Sequence, residues 1–338
     1  MGPSVLSEFL DQVKSFALAR VLITAIELDV FQELQQASLT RDDLRQRLGI
    51  ADTPISDAFL DVLVAFEVLA EESGKLSLTP TGRSVLPVYE SIRSWSREMQ
   101  LFYHSLDDLT GLLKCGCYRD TALSHYWVYK RSPDRKQLQL PAVDDYSSVM
   151  DASQTQLSQA IMEHYDFGVH EHIMDVGGGY GRLAISLADR YPGLKITITD
   201  LPAVCEGASA RIDAAGLGER ITCLPVDFFR DDLPTNVVDA IVFVRILHDW
   251  DDHEVADLIM KTRACLRGPG VALVVEPMTD ESVETNRSSV LSSLMLTLAG
   301  GRRRSVQQYV KLLSSAGYAR LSWSDCGLSI YKMVVARI

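Results

Sequence analysis

The spacing of apolar and polar positions changes twice along the 338 residues. Over residues 5–35, Phe9, Val13, Phe16, Ala17, Val21, Ile23, Ala25, Ile26 and Leu28 recur at helical intervals. They cover more than one face, which is more than a surface helix needs. Burial against a second subunit would account for that, and so would burial within the same domain. Residues 40–49 read as a helix capped by Thr40 and ended by Gly49. Residues 56–70 read as another helix, and residues 72–79 alternate like a hairpin arm. Three helices and a β-wing form a winged-helix pattern. Residues 90–165 read as mostly helical and are rich in aromatics: Trp95, Phe102, Tyr103, His104, Tyr118, Tyr126, Trp127, Tyr129 and Tyr146. A loop at residues 130–134 interrupts them. From residue 166 the pattern becomes short apolar runs at 172–176, 195–199, 221–225, 238–244 and 270–275, with helices between. That alternation predicts a doubly wound α/β sheet with ligands at the carboxyl ends of its strands.

Composition narrows the function. The length suggests two domains. At 47% hydrophobic and 23% charged residues the chain is ordinary globular protein. A net charge of −12 argues against nucleic-acid binding. The helix that would read DNA carries Asp57 and Asp61 and no cation between residues 56 and 66, so packing and dimerisation is the better reading. The cysteines at 115, 117, 205, 223, 265 and 326 make only one C-x-C and resemble scattered reduced thiols. With neither a leader pattern nor a membrane-length apolar run, a cytoplasmic location is expected, without a membrane partner.

The chemistry centres on His172-Ile173-Met174-Asp175-Val176-Gly177-Gly178-Gly179-Tyr180-Gly181. A buried strand runs into four glycines within five residues, and a helix follows. Glycine lets a ligand approach the backbone closely, so this is a nucleotide cradle. It lacks the G-x-G-x-x-G spacing of a dinucleotide site. Asp200, 25 residues after Asp175 and at the end of the next strand, is placed for the two hydroxyls of a ribose. His248 follows the strand at 238–244 and should lie at the mouth of the cleft. Asp249, Asp251 and Asp252 after it also suit a helix N-terminus. Glu276, at the next strand end, can orient the histidine ring or bond a neighbouring helix or loop.

These pieces resemble the small-molecule O-methyltransferases of the plant caffeic-acid and bacterial acetylserotonin type. The resemblance covers nearly the whole chain. It rests on Asp175-Val176-Gly177-Gly178-Gly179-Tyr180-Gly181, Asp200-Leu201-Pro202, Asp227-Phe228-Phe229, Leu247-His248-Asp249-Trp250-Asp251-Asp252, Glu276-Pro277-Met278 and Gly300-Gly301. It implies a Rossmann-like class I methyltransferase sheet with an N-terminal, mainly α winged-helix dimerisation domain. The expected divisions are 1–90 for dimerisation, 91–165 for a helical linker contributing to the substrate pocket, and 166–338 for the catalytic domain.

The implied cofactor is S-adenosyl-L-methionine. Asp175 and the glycines Gly177, Gly179 and Gly181 would take its methionine part, and Asp200 with Leu201 the ribose. Asp227 and Phe228 would take the adenine side, while Met150, Ser153 and Arg245 complete the set. His248 matches the family's general base and Glu276 a carboxylate that orients it. The implied partners are an aromatic small molecule and a second copy of the chain, joined through the N-terminal half. One position departs from the family. Many relatives read Gly-Gly-x-Glu-Arg-Thr, whereas this chain reads Gly300-Gly301-Arg302-Arg303-Arg304-Ser305, placing Arg303 where a second glutamate would stand. Ser292 stands where relatives often carry aspartate. Arg303 would pair with a substrate carboxylate or form a solvated basic turn. Tyr103, Trp127, Leu294 and Met295 are expected in the pocket wall. No metal is expected, because no histidine after His253 could complete a site. The expected reaction is O-methylation of an aromatic hydroxyl in specialised metabolism. The alternatives are C-methylation ortho to a phenol, or a relative that keeps the cofactor without transferring methyl.

Overall fold

The computed structural model describes residues 5–116, 121–279, 287–328 and 330–338. It divides into two compact units, Met1–Gln100 and Leu101–Ile338. In the first unit, helices Val5–Glu27, Arg41–Leu48 and Pro54–Ala65 precede a two-stranded hairpin. Thr40 caps the second helix by accepting the Asp43 N–H, and Gly49 ends it in the left-handed conformation. Pro54 opens the third helix, where a missing N–H costs nothing. That helix stops at Ala65, not at residue 70, because Glu67 takes φ 55° and Leu69–Glu72 enters the hairpin as β1. β2, Lys75–Leu78, pairs with it antiparallel across Ser73 and Gly74, both at positive φ as a tight hairpin turn requires. Leu44, Leu60, Leu63, Leu69 and Leu76 fill the core.

The two aspartates on the third helix hold cations of its neighbour. Arg41 reaches Asp61 and Glu71, and Arg45 reaches Asp57. The first helix behaves differently. Only Ile23, Ala25 and Ile26 are buried, while Val5, Leu6, Phe9, Leu10, Val13 and Phe16 stay exposed, Phe9 at 60%. The unit's own core therefore does not cover that stripe.

The second unit carries the predicted α/β sheet. Its strands are β3 His172–Val176, β4 Lys195–Asp200, β5 Ile221–Pro225, β6 Val238–Val244, β7 Leu266–Pro277, β8 Arg320–Asp325 and β9 Tyr331–Arg337, in the order β5-β4-β3-β6-β7-β9-β8. β3 to β7 pair in parallel, and β9 lies antiparallel between β7 and β8. Strand β7 is longer than the run at 270–275, and the pair β8 and β9 lies beyond the alternation visible in sequence. Both faces are covered, so the strands read as continuous apolar runs. Val242 and Leu273 pack on one side with Leu157, Leu183 and Leu187; Ile241, Phe243 and Val274 pack on the other with Leu258, Tyr309 and Leu313. From β3 the sheet grows outward through β4 and β5, while β6 lies on its opposite side. The crevice between the carboxyl ends of β3 and β6 is thus the topological switch point, where an open α/β sheet binds its ligand.

Candidate active site

The glycine turn sits at that switch point. Gly177, Gly179 and Gly181 all have positive φ, and a Cβ on Gly177 would run into Ile246 Cδ1. A side chain there would be strained and would also collide with the loop after β6. A Cβ on Gly179, by contrast, meets open space. Gly179 N–H donates to Asp200 Oδ2 (2.9 Å) and Leu201 N–H to Asp200 Oδ1 (2.8 Å), which fixes the carboxylate across the turn. The Leu201 side chain turns away into a cluster with Val143, Tyr180 and Val204. Asp175 is buried, and its Oδ2 has no protein partner. Burial, with Asp200 adding repulsion, pushes the Asp175 carboxyl up to about 7, and burial raises Asp200 to about 6.

The helix Leu140–His164 carries Met150 and Ser153. Arg245, at φ 58° after β6, donates to Met150 O and Ser153 Oγ, both at 2.8 Å. Asp151 on the same helix accepts from Arg182 and Arg211, both at 2.6 Å. Arg245 thereby fastens this helix to the end of β6, and Asp151 fastens it to the two helices behind the turn. Asp227 follows β5; it is buried, accepts the Phe229 N–H (3.1 Å), and leaves Oδ2 without a hydrogen bond. Phe228 stacks edge-on against Phe229 and Trp250.

His248 occupies a short 3-10 turn, Leu247–Asp249. Its Nδ1 lies 2.5 Å from Glu276 Oε2, while Glu276 Oε1 accepts the N–H groups of Ile246 (2.9 Å) and Leu247 (2.7 Å). One buried carboxylate thus meets both the His248 ring and the backbone of its loop. The acceptor at Nδ1 places the imidazole hydrogen there and leaves a lone pair on Nε2. Burial opposes a charged ring, but Glu276 and Asp249 together outweigh it and raise the His248 pKa.

Around this pair the structure adds contacts to which the sequence reading gave no role at the site. Asp249 is buried; Tyr129 donates to its Oδ2 (2.9 Å), and the Tyr129 and Tyr146 hydroxyls lie 3.2 Å apart. Arg304 is wholly buried and donates to Leu247 O, Trp250 O and Asp252 Oδ1 at 2.7–2.8 Å, which holds the turn from behind. The position of Asp249 directly after His248 was the available signal. Nothing local marked Arg304 within its run of three arginines.

The expected wall is only partly assembled. Trp127, Leu294 and Met295 share a cluster with Leu123 and Leu298. Tyr103 lies outside it, and Phe102 and Leu106 stand there instead. The helix Tyr89–Ser105 turns Tyr103 onto another face, edge-on to His104. Arg303 is half-buried and donates to Met278 O (2.8 Å) and Ser293 Oγ (3.2 Å), so it is not a solvated turn. Lys130 falls in a helical turn, Val128–Arg131, not in a loop. Tyr118 and Cys117 lie outside the described residues. Among the described residues, no cluster of three His, Cys, Asp or Glu is suited to a metal, and no helix is long and apolar enough to cross a membrane.

Comparison with known proteins shows the family. The O-methyltransferase domain profile matches residues 126–319, more than half of the chain, and the O-methyltransferase dimerisation domain profile matches residues 10–87. Demethylspheroidene O-methyltransferase of Rhodobacter capsulatus is 27% identical over 92% of this chain and 77% of its own length. The N,N-dimethyltransferase OxyT of Streptomyces rimosus is 28% identical over 89% of this chain and 87% of its own. The structure of human N-acetylserotonin methyltransferase in complex with S-adenosylmethionine aligns with a TM-score of 0.78 at 25% identity, covering 100% of this chain and 99% of that one. The chain belongs to the O-methyltransferase family and is an S-adenosylmethionine-dependent methyltransferase.

Proposed function

We propose that the enzyme methylates a hydroxyl group of an aromatic small molecule, with His248 as general base. The observation that carries this reading is the His248–Glu276 pair at the switch-point crevice, where Glu276 holds Nδ1 and the Nε2 lone pair is left to accept a proton. The residues at the glycine turn suit the cofactor. Asp175 Oδ2 and Asp227 Oδ2 are buried oxygens without a hydrogen bond, and Gly179 leaves open space beside the Asp200 carboxylate. Asp200 would accept from the ribose hydroxyls, Asp175 would face the methionine part, and Asp227 with Phe228 the adenine. Bound there, the cofactor supplies an electrophilic methyl group on a sulfonium. The chain's own residues supply alignment and a proton acceptor. Arg245 and Asp151 hold the helix bearing Met150 and Ser153 against the crevice, and alignment of this kind lowers the barrier to an in-line displacement. A free phenol titrates near about 10. His248 Nε2 takes its proton as the oxygen becomes nucleophilic, and Glu276 stabilises the resulting imidazolium. Trp127, Leu294 and Met295 would form the apolar wall for the ring.

An amine acceptor is the second reading, favoured by the name of the Streptomyces rimosus relative. The same base would serve it. The exposed stripe of the first helix, which runs from Val5 into the region matching a dimerisation domain at residues 10–87, supports a homodimer. The test of function is incubation with S-adenosylmethionine and separate pools of phenols and aromatic amines, read by mass spectrometry. A methylated phenol is expected. Methylation confined to the amines would overturn the hydroxyl assignment.

A further inference from the structure

A base must arrive uncharged, and His248 stands in a field that favours its charged form. Glu276 Oε2 meets Nδ1, and Asp249 Oδ1 lies 3.6 Å from Nε2. Two carboxylates against one ring favour imidazolium, which has no lone pair to offer. A cation meets the same oxygen of Asp249. Lys130 Nζ is 3.6 Å from the same Oδ1, and the two side chains are 14% and 4% exposed. The ammonium also lies 5.2 Å from the centroid of the Trp127 ring and 5.7 Å from that of Trp250. Faces of this kind hold a cation where water is scarce. Asp249 Oδ1 is thus shared between the base and Lys130.

We propose that Lys130 is a positioning residue of the proton-transfer group: its ammonium offsets part of the pull of Asp249, so that a larger share of His248 rings meets the acceptor uncharged. This rests on the reading of His248 as the base. The other groups facing the ring do not supply that offset. Glu276 on β7 is an anion. Tyr129, bonded to Asp249, and Tyr309, near both carboxylates, are held neutral by burial, which pushes their phenols well above the ordinary value. Arg304 spends its guanidinium on the carbonyls of Leu247 and Trp250 and on Asp252. Among the described residues, Lys130 is the lysine or arginine found in ion-pair range of Asp249, and its charge opposes protonation of His248.

The test is a nuclear magnetic resonance titration of the histidine rings in the full-length protein, with His248→Gln identifying the His248 signal among the seven histidines. Lys130→Met should shift the His248 midpoint upward by about one pH unit, the scale of one partly screened charge at this range. Lys130→Arg should stay near the wild type, and circular dichroism should show all variants folded. If Lys130→Met does not fold, Lys130→Gln reads the same shift. A midpoint unchanged in the neutral variant, or moved as far by Lys130→Arg, would overturn the proposal. The base assignment is read separately, from turnover of His248→Gln on an acceptor found in the phenol screen. Lost turnover with an unmoved midpoint in Lys130→Met would leave the base standing and remove the role of Lys130. Retained turnover would remove the base, while the titration would still report on Lys130.

Discussion

At the scale of single residues, the proposed site is a set of buried and half-buried carboxylates, each in a different hydrogen-bond setting. Asp200 is clamped by two backbone N–H groups and faces the open side of the glycine turn. Replacing it with alanine should weaken S-adenosylmethionine binding by about 1–3 kcal/mol, the cost of losing a charged hydrogen-bond partner; calorimetry measures this directly. The pH dependence follows from the raised carboxyls. With Asp175 titrating near about 7 and Asp200 near about 6 in the free protein, acid protonates both before most carboxylates. Protonation removes acceptors the ligand needs, so affinity should fall as pH drops through this window and level off above it. A flat binding profile from pH 8 down to pH 5 would contradict the assignment of both residues. Asp175, Asp200 and Glu276 could be singled out in sequence because each lies at the carboxyl end of a strand of one sheet, and His248 because it follows the end of another strand by four residues. Lys130 and Tyr129 could not, because each meets Asp249 from about 120 positions away, a contact no local pattern encodes.

At the scale of elements, two fasteners assemble the crevice. Arg245 adopts a left-handed backbone that ordinarily costs about 1 kcal/mol or more, and its guanidinium binds the helix Leu140–His164. Arg245→Ala should free that helix and lower cofactor affinity while leaving the His248 titration where it was. Calorimetry and the ring titration together would show whether the two are separable in this way. Arg304 is the second fastener. Arg304→Met would leave Trp250 O and Asp252 Oδ1 without this donor and Leu247 O with only the long Trp250 N–H bond of 3.4 Å, so urea unfolding should show a loss of about 3–5 kcal/mol. The strands at 172–176 and 238–244 were read to the residue, since both are buried apolar runs bounded by glycine or charge. The helix after Pro54 was read five residues too long because Phe66, Val68 and Leu69 continue its apolar run. Only the positive φ at Glu67, a tertiary outcome, stops it. Strands β8 and β9 escaped because one is largely exposed and the other too short an apolar run to stand out.

At the scale of the whole molecule, assembly and turnover are the measurable properties. Val5, Leu6, Phe9, Val13 and Phe16 leave an apolar stripe on the first helix that the unit's core does not cover. Light scattering should give a mass near twice 37.5 kDa at micromolar concentration, and Phe9→Glu with Phe16→Glu should return it to the monomer value. The double periodicity of residues 5–35 was visible in sequence, but whether it was buried within the chain was not. The central claim is that methyl transfer depends on a proton taken by His248 while Glu276 holds its ring. The most direct measurement is turnover of His248→Gln with a phenolic acceptor, at neutral pH and again near the phenol's own pKa. The account predicts a loss of about 100-fold or more at neutral pH, with cofactor affinity nearly unchanged and partial recovery at high pH, where the acceptor arrives already ionised. Wild-type turnover by His248→Gln at neutral pH would contradict it.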